Sequence, residues 1–333
     1  MEIIKIKTDS IAHLSYLLIA NDEAAVIDPR RDAKIYLDKA SAKGAKIKYI
    51  FETHRNEDYI TGSRELKRYT EAHIYHGKGL DFKFGNFVEE GNKFELSDLT
   101  LKILETPGHT PESISIAVFP ENENDGAVGV FTGDALFVND VGRTDFFPDE
   151  MEKYAGLLYD SIHNKILPLG EQTVLYPAHG AGSVCGGGIA NREISTLGYE
   201  KKNNPMLQLG RDEFIKKKVN EKHQMPPYFR KMEEINLDGD DEPYRNYETL
   251  DLLSPKQFKE RMNDSQVVDV REAEAFIGCF MQGSLSIPEA MLGAYSGYFL
   301  SYDKDIVLVG DDVNQCKKAN RELRRLGFDN GCA

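Results

Sequence analysis

Cysteine is scarce in this chain. The 333 residues hold four, scattered and with no C-x-x-C pair, which argues against a disulfide framework and for reduced thiols in a cytosolic setting. Long apolar runs are missing as well. The stretch Leu14 to Ala20 falls far short of the ~20 residues that span a bilayer, and reads as a strand paired with Ala24 to Ile27. No secretory leader pattern is evident, so the expected compartment is the cytoplasm. Basic charge is also short: 41 Lys and Arg against 55 Asp and Glu leave a net charge of −14. That balance speaks against nucleic acid and anionic membrane surfaces as partners, since both reward basic patches. There is no internal repeat, and the glycine cluster Gly186 to Gly188 is too short for low complexity.

The length corresponds to about two domains, each half being long enough to bury a core. A boundary is expected at 236–248, where Asp238-Gly239-Asp240-Asp241-Glu242-Pro243 is acidic, turn-rich and almost free of apolar residues, and so unable to pack. The expected division is 1–235, an acidic linker at 236–248, and 249–333. Before the linker, Arg211 to Glu221 has the spacing of an amphipathic helix, with Phe214, Ile215 and Val219 on one face.

Chemistry-bearing residues follow short apolar runs. Lys48 to Phe51, Leu101 to Leu104, Val128 to Phe131 and Thr173 to Tyr176 have the length and β-branched or aromatic bias of buried strands. After them come Thr53-His54-Arg55-Asn56-Glu57-Asp58-Tyr59, Thr106-Pro107-Gly108-His109-Thr110, Gly133-Asp134-Ala135 and Pro177-Ala178-His179-Gly180. Strand ends in layered α/β proteins are where loops bring polar groups together around a ligand. The first segment looks like a dinuclear metal loop, H-x-H-x-D-H, in which Asn56 and Tyr59 stand where two imidazoles would be. Amide and phenol are poor ligands for a borderline transition metal, so one cation is expected rather than two.

This order of motifs resembles the metallo-β-lactamase superfamily over roughly residues 1 to 235, and within it most closely the persulfide dioxygenases, especially those fused to rhodanese domains. The resemblance implies an αββα sandwich followed by a smaller α/β rhodanese-like domain. It also implies one Fe(II) per chain held by His54, His109 and Asp134, and oxidation of a low-molecular-weight thiol persulfide by O2 to sulfite and free thiol. Two imidazoles and a carboxylate form the facial triad of non-haem iron oxygenases, although catalytic zinc uses the same set. Zinc and a glyoxalase II-like thioester hydrolase are therefore the alternative, with a non-catalytic binding module behind it. Asp58 and His179 match cleft-lining positions and are expected to support the metal or move protons. Arg143, in Val141-Gly142-Arg143-Thr144-Asp145, is the expected anchor for an anionic substrate, against an ion pair with Asp140 or Asp145. Cys185, on the glycine-rich loop 182–188, is expected near the cleft mouth as a sulfur relay, against a small buried hydrophobe. Relatives are commonly dimers, which makes a homodimer an expectation.

From about Thr249, Val267-Val268-Asp269-Val270-Arg271 and Gly283-Ser284-Leu285-Ser286-Ile287-Pro288 resemble the opening of a rhodanese domain. The position where that family carries its catalytic Cys falls on Gly310, followed by Asp311 and Asp312, which would repel an anion. Cys316 is expected inside the next helix. The domain thus reads as a degenerate rhodanese with a structural or docking role, and as one that stops short of the usual end.

Overall fold

The computed structural model describes residues 1–121, 126–239, 244 and 250–330. Its first sheet runs in the order β1 (Glu2–Thr8), β2 (His13–Ala20), β3 (Glu23–Ile27), β4 (Lys46–Glu52), β5 (His73–Gly77) and β6 (Asn86–Val88). The first three strands pair antiparallel and the rest parallel. A second six-stranded sheet holds β7 (Lys93–Leu96), β8 (Leu99–Glu105), β9 (Ile114–Pro120), β10 (Gly129–Gly133), β11 (Val174–Pro177) and β12 (Ser195–Thr196). Leu14 to Ala20 is indeed a strand, paired antiparallel with the one that carries Ala24 to Ile27.

Alternation along the strands makes the layers. Leu14, Tyr16 and Leu18 of β2 face inward with Phe51 against Leu101, Ile103, Ile114, Ile116 and Phe131 of the second sheet. Their neighbours Leu17 and Ile19 point the other way, with Ile47 and Ile50, onto α1 (Lys34–Ala42) and α2 (Ser63–Tyr69) through Tyr36, Ala40 and Leu66. A strand buried on both faces has no polar face to show, which is why β2 reads as a continuous apolar run. On the far side of the second sheet, Val130 and Leu175 pack beneath α3 (Met151–Ser161), α4 (Leu197–Asn203) and α5 (Arg211–Asn220), through Leu158, Leu197 and Phe214. The result is an αββα sandwich.

Helix α6 (Phe229–Asp238) returns to the first sheet's loops, where the buried Asn236 amide donates to the carbonyls of Asn56 and Tyr59 and accepts from the Thr61 N–H. The start of the segment read as a linker is therefore helical and packed, because one Asn side chain satisfies three backbone groups. Residues 240–243 and 245–248 of that stretch lie outside the described residues, and we propose that the division between the units follows Gly239.

Beyond it, α7 (Pro255–Arg261), α8 (Ala273–Gly278), α9 (Leu292–Phe299) and α10 (Val313–Arg325) surround a parallel sheet of β13 (Gln266–Asp269), β14 (Leu285–Ser286) and β15 (Ile306–Val309), ordered β14-β13-β15. This unit has its own core of Val268, Ile287, Leu292, Ile306, Leu323 and Phe328. It is also locked onto the sandwich. Arg325 forms a two-pronged pair with Asp32 at 2.8 Å per prong. Arg31 donates to the Arg324 carbonyl and to Asp329, and the Arg325 carbonyl accepts from the Ile60 N–H at 3.0 Å.

Candidate metal centre

Four loops at strand ends converge. His54 follows β4, His109 follows β8, Asp134 follows β10 and His179 follows β11, and all four side chains are buried. The approach is close because glycine lines it. A Cβ on Gly133, whose φ is +54°, would meet Thr53 Oγ1 at 2.5 Å, and one on Gly142 would meet the Asp134 carbonyl oxygen at 2.0 Å.

Hydrogen bonds decide which imidazole nitrogen is bare. Thr53 donates its hydroxyl to Asp28 Oδ2 at 2.8 Å, so its oxygen accepts from His54 Nδ1–H at 2.9 Å. His109 Nδ1–H donates to the Arg143 carbonyl at 2.9 Å. In each neutral ring the lone pair is then on Nε2, and both Nε2 atoms are buried without a hydrogen-bond partner among the described residues. They lie 3.8 Å and 3.5 Å from the same Asp134 oxygen, Oδ2. Two bare imidazole nitrogens and a carboxylate oxygen at such separations match the span that one small divalent cation bridges, with ligand distances of about 2.0–2.2 Å. The residues thus fit a metal ion.

His179 is differently bound. Its Nδ1 donates to Asp134 at 2.8 Å and 3.0 Å, and its Nε2 donates to Asp58 Oδ2 at 3.1 Å. With both nitrogens facing carboxylates it offers no lone pair, and so acts as a clamp on Asp134 rather than a ligand. Burial works against its charge, but Asp134 and Asp58 outweigh this and hold its pKa well above the ordinary value. Burial likewise opposes ionisation of Asp134, yet His179 and His54 keep it well below the usual carboxylate range. Burial pushes His54 down to about 4 against the pull of Asp134, so the ring is neutral at pH 7.

The two residues standing in for imidazoles turn away. Asn56 Nδ2 donates to the His54 carbonyl, while the Tyr59 hydroxyl reaches the Asp28 carbonyl and its ring lies 4.1 Å from that of His13.

Arg143 and Cys185 follow the alternative readings, an ion pair with Asp145 and a buried thiol. The Arg143 guanidinium is fully buried, forked onto Asp145 at 2.6 Å and 2.8 Å, and donates a third bond to the Gln224 carbonyl at 2.9 Å. It lies over Phe146 and Phe229, with ring centroids at 4.9 Å and 6.0 Å. Its charge is spent inside the protein, and its main contact with the site is the carbonyl that orients His109. Cys185 is buried rather than at a mouth, its sulfur within 4.8 Å of ligand atoms of Asp58 and His179 and of His109 and Asp134. Burial pushes its thiol well above the ordinary pKa.

Two further residues were not among those expected. His13, at the start of β2, is buried between Tyr59 and His179. Glu57 is 1% exposed, and its Oε2 lies 3.7 Å from His109 Nε2. The signal for Glu57 was its place three residues after His54 in a turning loop, but the loop's resemblance drew attention to Asp58 instead.

Residues 10–179 match the model of the Metallo-beta-lactamase superfamily, and residues 254–333 that of the Rhodanese-like domain. The chain is 32% identical over 202 residues to the mitochondrial persulfide dioxygenase ETHE1 of Bos taurus, covering 58% of this chain and 70% of that protein. It is 29% identical over 214 residues to the hydroxyacylglutathione hydrolase GloC of Haemophilus influenzae, covering 57% and 91%. Among solved structures, one described as a metallo-beta-lactamase from Staphylococcus aureus aligns over 100% of this chain and 97% of its own, with a TM-score of 0.87 and 31% identity. ETHE1 from Myxococcus xanthus aligns over 71% and 98%, with a TM-score of 0.61 and 27% identity.

Proposed function

Since this chain belongs to the metallo-beta-lactamase superfamily and carries a rhodanese-like domain behind it, we propose that it is an Fe(II)-dependent dioxygenase. Its substrate would be a low-molecular-weight thiol persulfide, whose outer sulfur takes two oxygens from O2 and, on hydrolysis, a third from water, leaving sulfite and the free thiol. His54, His109 and Asp134 would hold the metal. The observation that carries this reading is the pair of bare, buried Nε2 atoms facing one Asp134 oxygen while His179 is consumed by two carboxylates. That is a donor set for one cation. A dinuclear hydrolase would need further imidazoles, and Asn56 and Tyr59 offer none. Likeness to ETHE1 supports the choice of chemistry.

Ferrous iron, when bound, supplies a redox-active cation with open positions at which two reactants are brought together, an arrangement that makes their encounter intramolecular. The protein does the rest. Thr53 and the Arg143 carbonyl fix the two imidazole rings, and partners of this kind are worth roughly 10 to 100-fold in metal affinity or activity. His179 holds Asp134 in place and keeps a proton at Nε2, shared with Asp58. Phe146 packs edge-on against His109 at 5.2 Å and steadies that ring.

Likeness to GloC supports a second reading, a zinc-dependent thioester hydrolase. Metal analysis of anaerobically purified protein, coupled to oxygen uptake on adding glutathione persulfide or coenzyme A persulfide, separates the two. About one iron per chain with persulfide-dependent uptake is the result expected of the dioxygenase. Zinc alone, with no uptake after Fe(II) reconstitution, would overturn the dioxygenase.

A further inference from the structure

We propose that Glu57 is a fourth protein ligand, so that this chain holds its metal by two imidazoles and two carboxylates. The inference rests on the triad reading above and extends it. Glu57 is 1% exposed, and its Oε2 is buried without a partner among the described residues. That oxygen is 3.7 Å from His109 Nε2, and Glu57, His54 and His109 present ligand atoms all within 4.8 Å of one another. An unpaired carboxylate oxygen in a dry interior is costly unless it meets a cation or a donor. The Nε2 atoms of His54 and His109 are likewise buried without a hydrogen-bond partner among the described residues. A cation between them satisfies all three atoms at once.

The loop explains how Glu57 comes to face inward. Asn56 and Tyr59 are turned onto backbone carbonyls, and Asn236 pins the carbonyls of Asn56 and Tyr59 from α6. Those anchors leave His54 and Glu57, three residues apart, on the same side. Arg55 reaches Glu233 at 2.9 Å and Oε1 of Glu57 at 3.5 Å. It steadies the carboxylate while leaving Oε2 to the metal. The second carboxylate has two consequences. It balances the charge of a dication, with Asp134 supplying the other negative charge. It also leaves two open positions on a six-coordinate metal where a triad leaves three.

The test uses the full chain freed of metal and titrated with Co(II), read by its visible absorption and by competition for affinity. Glu57→Gln is expected to change the Co(II) spectrum and to weaken binding at least roughly tenfold, the lower bound for losing even a group behind the ligands. His54→Ala is expected to abolish the spectrum. If Glu57→Gln keeps wild-type spectrum and affinity while His54→Ala loses both, Glu57 is merely the partner of Arg55 and the inference fails, with the triad intact. If His54→Ala also binds as wild type, the triad reading falls and takes this one with it. Should Glu57→Gln not fold, Glu57→Asp retains the charge beside Arg55 but withdraws the oxygen. An unchanged spectrum and affinity in that variant would equally overturn the proposal.

Discussion

The two α/β units of this chain both end strands at a loop where chemistry is expected, and they differ in what stands there. In the sandwich, β4, β8, β10 and β11 deliver imidazoles and carboxylates to one buried point. In the C-terminal unit, β15 delivers Gly310, then Asp311 and Asp312, and Asp312 accepts from the Gln315 N–H at 2.9 Å to cap α10. Cys316 lies on that helix, half-buried, and a Cβ on Gly310 would meet its sulfur at 2.7 Å. The space a side chain would need at position 310 is filled by the Cys316 thiol. Burial and the neighbouring Asp312 raise that thiol above its ordinary pKa, the reverse of what a sulfur-transferring nucleophile needs. In this unit the core and the loop are held by different residues.

Each unit also contains a fork between an Arg and an Asp two residues apart. Arg143 and Asp145 form one inside the sandwich, while Asp269 and Arg271 form the other at 2.9 Å and 2.7 Å, with Arg271 18% exposed. The first orders the loop whose carbonyl aims His109. The second ties β13 to the Cys279 carbonyl at the end of α8. Similar pairings thus serve a site in one unit and scaffolding in the other.

Three measurements would sharpen or break this contrast. The largest effect belongs to Asp134→Ala, which removes the oxygen shared by both bare imidazoles. Loss of bound metal and of oxygen uptake together is expected, with the far-ultraviolet circular dichroism of both units retained. Undiminished uptake would remove Asp134 from the site.

A smaller effect is expected at the buried fork. Asp145→Asn leaves the Arg143 charge without its partner and should cost about 3 kcal/mol in urea unfolding. Burial opposes ionisation of Asp145, but its bonds to Arg143 lower its pKa, which fixes the sign of the acid response. A depressed carboxylate contributes stability that is complete above its unfolded value near ~4 and is lost as pH falls through the lower folded value. Wild type should lose this increment only below about pH 4, and Asp145→Asn should lack it at every pH. Identical acid unfolding of the two proteins would show that the fork contributes no stability.

The smallest effect is expected at Cys316. Thiosulfate-to-cyanide transfer should be absent from the chain, and Cys316→Ser should leave persulfide-dependent oxygen uptake unchanged. Turnover of thiosulfate that vanishes in Cys316→Ser would erase the distinction between the two units.

Much of the fold was legible in the sequence because strand burial leaves a local record. The apolar runs before His54, His109, Asp134 and His179 are strands β4, β8, β10 and β11, and Cys316 does lie in the helix carrying Ala319 and Leu323. The direction in which a loop side chain points leaves no such record. Arg143 could be read as a substrate anchor or as half of an ion pair, and Asp145 together with the Gln224 carbonyl, 81 residues away in sequence, claims its donors. Cys185 could be read as a thiol at the cleft mouth or as a small buried hydrophobe, and its loop folds down against Asp58 and His179. Glu57 drew no notice, since only the anchoring by Asn236 turns it inward.

By itself, then, the sequence determined the order of elements, the superfamily and the absence of imidazoles at 56 and 59, because those depend on residue type and local periodicity. Only the tertiary structure decided which nitrogen of each imidazole is bare, that His179 is spent between two carboxylates, and that Glu57 rather than Arg143 turns an unpaired group toward the centre. Each of those depends on partners distant in sequence, and hydrogen-bond geometry in a buried site is set by the atoms that packing brings together.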